Sequence, residues 1–291
     1  MIARVFCNDN GFGLSRDFAV VRPILEACGY TVERIAPSRP AKGRADISIH
    51  LEHIYPKNLG QSRADIAIPN VEWCPGTMVT AMRRCQVVCA KTMDAADILS
   101  RQGLSPIMTG WTSPDIYRDT PRHKRMIHLA GRSPLKSTHT LIQAMALIPD
   151  IPLTIYRPTG LHNIPANVSH TRATLTPDAV IQVQNEALIH VLPSQYEGFG
   201  HAINEAACVG ANIVTTNHAP MNTFGAKYLC PVMSYKRQTL ASLAIITPQH
   251  LAQTIRQAWE EVDAPDPDAR KEWMARDEAF NLTFTEVIRA I

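Results

Sequence analysis

The residues best placed to do chemistry lie between Leu192 and Gly210, in the text LPSQYEGFGHAINEAACVG. An apolar stretch, ALIHVL, runs into Pro193-Ser194. Glu197-Gly198-Phe199-Gly200 follows and leads into a helix opening near His201. Two glycines let backbone approach a ligand closely. The helix behind them aims N–H groups and a partial positive charge at that point, which suits an anion such as a diphosphate. Glu197 precedes the helix and Glu205 lies within it. At the helical rise they stand roughly 12 Å apart, too far to share one proton as a dyad. Each could instead accept hydroxyl hydrogens from one end of a long ligand. A nucleotide sugar, with hexose, diphosphate and ribose in a row, is such a ligand. The same spacing also fits a surface Glu and a helix-face Glu beside a tight turn.

A second element reads the same way. The apolar strand Met126–Ala130 is followed by Gly131-Arg132-Ser133-Pro134-Leu135-Lys136-Ser137, then by the helical text THTLIQAMALI. Arg offers a planar fork to paired oxygens and Lys a compact charge, so this turn can grip phosphate. A solvated basic loop is the alternative.

These loops need elements to hold them. Strand-like runs occur at Ile2–Cys7, Thr31–Ile35, Asp46–Leu51, Ala64–Ile68 and Gln86–Ala90. Further runs occur at Met126–Ala130, Leu153–Tyr156, Val168–Thr171, Ala187–Leu192 and Asn212–Thr216. Helical patterns fall between them at Ser15–Cys28, Thr92–Arg101, Thr138–Leu147, Pro177–Gln184 and His201–Val209. Strand and helix in alternation argue parallel sheets covered on both faces. Several strands are apolar throughout, as strands buried on both faces should be. Composition agrees: 45% hydrophobic and 19% charged residues exclude a disordered chain. No apolar run reaches the roughly 18–20 residues of a membrane span. The start, MIARVFC, reads as a first strand and not as a signal peptide. Seven Cys without a C-x-x-C pair support neither a disulfide framework nor a zinc site, and imply a reduced, cytoplasmic setting. A formal charge of +3 does not by itself imply nucleic acid.

AGRSPLK followed by PSQYEGFGHAINEAACVGANIVTT resembles the nucleotide-sugar glycosyltransferases of the GT-B fold, of the retaining family-4 type. Those enzymes carry a G-R-x4-K-G loop and a later P-S-x-x-E-G-F-G block with Glu-x7-Glu. The second block matches at Pro193, Ser194, Glu197, Gly198, Phe199, Gly200, Glu205, Ala206 and Gly210. The first is one residue short from Arg132 to Lys136, and Ser137 stands where Gly is usual. The clear likeness covers Met126–Thr216. It implies two Rossmann-like, doubly wound α/β domains facing across a cleft. Arg132 and Lys136 would hold the diphosphate beside Gly131, Glu197 the sugar hydroxyls and Glu205 the ribose. The backbone of Phe199, Gly200 and His201 would meet the diphosphate or sugar, and Arg157 and Arg172 would lie near the nucleobase. Retention, no covalent nucleophile, no metal and no cofactor besides a nucleotide diphosphate sugar are implied, with a UDP-sugar as the default donor.

The N-terminal half would then serve the acceptor. Asn8-Asp9-Asn10-Gly11-Phe12-Gly13 follows the first strand, and Gly11 and Gly13 permit close approach to a phosphate or acceptor. His50 and His53 close the strand ISIHLEH, and His53 is the acceptor-facing candidate on the family pattern. Glu72 and Trp73 follow another strand, at the end that faces ligands in doubly wound sheets. Surface or core positions are the competing readings for all four. Asp266-Pro267-Asp268 looks like a metal-binding D-x-D but lies in a proline-rich linker without a preceding strand. The expected domains are 1–112 on the acceptor side and 122–262 on the donor side, with a helical segment 263–291 packing back on the first.

The expected activity is transfer of a sugar from a nucleotide diphosphate sugar to a hydroxyl. The acceptor is a glycan, lipid, metabolite or protein, or a hydroxymethylated pyrimidine in DNA. A non-catalytic nucleotide-sugar-binding module and a sugar-nucleotide epimerase are the alternatives on the same residues.

Overall fold

The computed structural model describes residues 1–291 apart from Asn10, Phe12, Pro40 and Lys42. The chain divides into two compact units. The first holds Met1–Pro114, Arg237–Ser242 and Ala275–Ile291, and the second Asp115–Lys236 and Leu243–Met274.

In the first unit the order is β1 (Ile2–Phe6), α1 (Gly13–Ala27), β2 (Thr31–Ile35), β3 (Ala45–Glu52), β4 (Ser62–Pro69), α2 (Gly76–Met82), β5 (Val87–Ala90), α3 (Met93–Arg101) and β6 (Ile107–Met108). The strands form one parallel sheet ordered β2-β1-β3-β4-β5-β6. The order reverses between β1 and β3. In doubly wound sheets ligands bind beyond the carboxyl ends of the strands at such a switch point. The core is apolar as the sequence requires: Val5, Phe6, Ile47, Ile49, Ile66 and Ile68 are buried from β1, β3 and β4. Residues 275–291 add Phe280 and Phe284, which meet Trp111 edge-on at 4.9 and 5.9 Å.

The second unit runs β7 (His123–Leu129), α4 (Thr138–Ala146), β8 (Leu153–Tyr156), β9 (Val168–Thr171), α5 (Pro177–Glu186), β10 (Ala187–Leu192), α6 (His201–Cys208), β11 (Asn212–Thr216) and β12 (Tyr228–Cys230). In chain order a hairpin of β13 (Ser234–Gln238) and β14 (Ala241–Ile245) follows, with its turn 237–242 in the first unit, then α7 (Pro248–Glu261) and α8 (Pro267–Arg289), whose residues from Ala275 on belong to the first unit. The parallel sheet is ordered β12-β11-β10-β7-β8-β9 and switches between β7 and β10. All six residues of β10 are buried, as a central strand covered on both faces demands. Met126, Leu141, Ile155, Ile189, Val214 and Ile255 belong to one continuous apolar core.

The sequence expectation placed all ten long strands and the five helices named above to within a few residues. It missed α2, β6, β12 and the hairpin. Asp266 is the N-cap of α8. Its Oδ1 accepts from the Asp268 and Ala269 amides at 3.1 and 3.4 Å, and it pairs with Lys227 at 3.0 Å. The D-x-D text is thus a helix start.

Candidate functional site

The switch point of the second unit lies between β7 and β10, and the two loops singled out from sequence leave those two strands. The β10 loop runs from Pro193 to Gly200. Gly200 is the N-cap of α6 at φ 101°, ψ 50°, a backbone state that side chains disfavour. Gly200 has no side chain with which to cap α6, so the positive end of the helix dipole faces the loop.

The β7 loop ends in a short turn, Pro134–Lys136, that delivers Lys136 to the β10 loop. Lys136 Nζ donates to Glu197 Oε1 at 2.5 Å, and Ser194 Oγ donates to the same oxygen at 2.5 Å. The Gln195 amide donates to the Leu135 carbonyl at 2.7 Å, which ties the two loops by backbone as well. The shortened Arg132–Lys136 spacing therefore still brings Lys136 onto Glu197. An ammonium has three donors. One serves Glu197, which leaves capacity for phosphate oxygens.

Ser137 explains why Gly is the usual residue after this lysine. It sits at φ 49°, ψ 27°, left-handed, as the N-cap of α4. Ser137→Val is expected to lower unfolding stability by about 1–2 kcal/mol, because a β-branched side chain is an outlier there. Ser137→Gly should be tolerated. Urea denaturation of both variants checks the order.

His128 locks the loop from beneath. It is buried in β7, with Nδ1 2.7 Å from the Val191 carbonyl and Nε2 2.9 Å from Thr138 Oγ1. A carbonyl only accepts, so Nδ1 carries the proton and Nε2 accepts from Thr138. Burial pushes the imidazole from 6.5 down to about 4, and it does the same to His190 on β10. A base whose folded pKa is depressed stabilises the fold above its unfolded pKa. Unfolding then takes up protons as pH falls. Stability is therefore expected to decline from pH 6.5 towards about 4, by up to about two protons' worth of slope. Denaturation midpoints across that range, with and without His128→Gln, measure it.

The other donor-side residues lie as follows. Glu205 is 2% exposed in α6 and takes the Gln184 side-chain amide at 3.2 Å. Phe199 is buried edge-on against His201 and Phe224, at 5.1 and 5.4 Å, so its backbone and not its ring is available to a ligand. Gly198 is buried and Arg132 exposed. Arg157 follows β8 and bonds Thr159 at 2.7 Å. Arg172 follows β9 and lies against Gly160. The structure thus gathers Lys136, Ser194 and Glu197 and leaves Glu205 buried. Gly11 and Gly13 belong to the first unit. Gly11 N donates to Ser15 Oγ at 2.9 Å, and Ser15 Oγ donates to Asp9 at 2.7 Å. Asn10 and Phe12 of that loop lie outside the described residues.

Of the residues expected to serve an acceptor, only part reach the surface. His50 is 0% exposed, paired with Asp65 at 2.9 Å and stacked on Phe6. It is a core residue because β3 turns that side inward. Glu72 is buried, and Trp73 beside it is exposed. His53 stays at the surface, one residue past β3 at the β1/β3 switch, with Nδ1 3.1 Å from Glu52 Oε1. Sequence reasoning missed Ser194 as a partner of Glu197. It also missed Asp17 and Lys91, whose roles only tertiary contacts reveal.

Residues 120–224 match the family model described as Glycosyl transferases group 1. A search of curated proteins finds no significant match. Among solved structures, the chain is similar to Alr3699/HepE from Anabaena in complex with UDP. TM-score is 0.68 and identity 14%, with full coverage of both chains. It is similar to a trehalose-6-phosphate protein from E. coli bound with UDP-2-fluoro glucose, at TM-score 0.70 and 7% identity. That match covers 100% of this chain and 98% of the other. It is also similar to AviGT4, a glycosyltransferase of avilamycin A biosynthesis, at TM-score 0.65 and 13% identity, covering 99% and 96%. Residues 120–224 thus match the glycosyl transferases group 1 model, and the two parallel six-stranded sheets give the chain the GT-B fold of these similar structures.

Proposed function

We propose that this chain transfers a sugar from a nucleoside diphosphate sugar to a hydroxyl acceptor, with retention of anomeric configuration. One observation carries the reading. Lys136, Ser194 and Glu197 converge at the start of α6, at the switch point of the second sheet. The positive helix end and Lys136 suit a diphosphate, and Arg132 on the same loop adds a bidentate donor. Charge that develops on the leaving diphosphate is stabilised there by groups already in place. These cations take the part that a divalent metal would otherwise play. Glu197 accepts from sugar hydroxyls and fixes the donor against Lys136. Two of the similar structures hold UDP or a UDP-sugar analogue, which favours UDP as the nucleotide. The first unit binds the acceptor, with His53 meeting its hydroxyl.

The test is to incubate the protein with UDP-glucose in EDTA and follow the freed glucose by proton NMR. UDP release with the α-anomer formed first is expected. The β-anomer formed first would contradict retention, and no release in EDTA that returns with magnesium would contradict metal independence.

A further inference from the structure

A chain of polar contacts in the first unit joins His53 to the buried core. Glu52 ends β3 in the left-handed region, at φ 65°. Such a conformation is uncommon for a residue other than glycine and persists only where its surroundings hold it. Its Oε1 lies 3.1 Å from His53 Nδ1, and its Oε2 accepts from Asn70 Nδ2 at 3.2 Å. Asn70 Oδ1 accepts from Lys91 Nζ at 3.0 Å. Lys91 Nζ also donates to Asp17 Oδ2 at 2.7 Å, and Asp17 Oδ1 accepts from Trp111 Nε1 at 2.8 Å.

These residues come from successive elements. Glu52 ends β3, Asn70 follows β4, Lys91 follows β5, Trp111 lies beyond β6 and Asp17 is early in α1. The strands are parallel, so the contacts run along one edge of the sheet, the carboxyl edge where doubly wound folds bind ligands. The Lys91 and Asp17 side chains are 1% and 3% exposed. Taking a charge pair out of water is costly, and a well-packed apolar pair often serves stability as well or better. Here the pair reaches a surface histidine through the Asn70 amide and then the Glu52 carboxylate.

The geometry points to Asp17, Lys91 and Asn70 as positioning residues that hold Glu52 so that His53 presents Nε2 to an acceptor hydroxyl. An ionised carboxylate only accepts, so Glu52 keeps the imidazole proton on Nδ1 and leaves the lone pair on Nε2. The side chain of His53 is 37% exposed, and no hydrogen bond among the described residues engages Nε2. The amide of Asn70 is fixed in orientation by Lys91: its oxygen must face the ammonium, so its N–H must face Glu52. The inference rests on the first unit serving the acceptor.

The test uses Asn70→Ala, which cuts the chain without stripping a partner from the buried Asp17. The tautomer of His53 is read by nitrogen-15 NMR at neutral pH and assigned with His53→Gln. The proton is expected on Nδ1 in the wild type and shifted towards Nε2 in Asn70→Ala. UDP-glucose hydrolysis, with water as the acceptor, should fall about tenfold or more in Asn70→Ala while UDP affinity stays within about twofold. A protein whose Asn70→Ala variant keeps both the tautomer and the hydrolysis rate would overturn the inference. So would an Nε2 proton in the wild type. Failure of the wild type to bind UDP would sink the donor reading instead, and the tautomer would still decide on the network.

Discussion

Glu197→Ala is expected to lower turnover of the nucleotide sugar by about 10²–10³-fold, the scale seen when one preorganised polar contact to a reacting group is lost. UDP affinity should hold or rise in the same variant. Glu197 Oε1 takes one hydrogen bond from Lys136 and another from Ser194. Removing the carboxylate releases the ammonium to phosphate and takes away a negative charge beside it. Lys136→Ala should act with the opposite sign on binding. It removes a charged hydrogen bond worth about 1.5–3 kcal/mol and leaves Glu197 facing the diphosphate uncompensated. UDP affinity should then drop by about tenfold to a hundredfold. Because the two side chains touch, the double variant should cost less than the sum of the singles. Calorimetric UDP titrations and nucleotide-release rates for the four proteins measure all of this. Equal losses of affinity in both single variants would contradict the arrangement.

The second large effect is on stability. Lys91→Met leaves Asp17 buried without its cation and is expected to destabilise the protein by about 3–5 kcal/mol. Asp17→Asn combined with Lys91→Met removes both charges. The side-chain amide introduced by Asp17→Asn still offers an oxygen to the Trp111 N–H. The double variant should therefore recover most of the loss. Urea denaturation followed by tryptophan fluorescence gives the values. A single Lys91→Met variant within about 1 kcal/mol of the wild type would mean that the buried pair carries no such coupling.

The sheet architecture was legible in the sequence because its strands are buried on both faces. ALIHVL and NIVTT are apolar runs bounded by turn residues, and their bounds agree with the structure. The hairpin was not legible for the converse physical reason. Every residue of SYKRQ but the last is exposed, so no apolar alternation marks it, and its turn uses Thr239 at φ 48° in place of a glycine. The donor-side loops were legible because glycine, proline and charge are local signals. What those loops do to one another was not: the Lys136–Glu197 contact joins residues 61 positions apart. His50 and Asp17 show the same limit. Each is polar text at an apolar-periodic position, and only the fold shows that His50 ends in the core on Asp65 and Asp17 on Lys91. Lys91 carried a faint signal, a single cation directly after the apolar VVCA.

The measurement that tests the central claim most directly is a thermal-shift series with UDP, GDP, ADP, CDP and TDP and their sugars, in EDTA, for the wild type and Lys136→Ala. A ligand at 100 times its dissociation constant adds about 2.7 kcal/mol of stability, a shift of a few degrees for a chain of this size. The donor-site account predicts a metal-independent shift with one nucleotide family, UDP first, and its fall to about half or less in Lys136→Ala at the same ligand concentration. No shift with any nucleotide, or a shift that Lys136→Ala leaves intact, would contradict it.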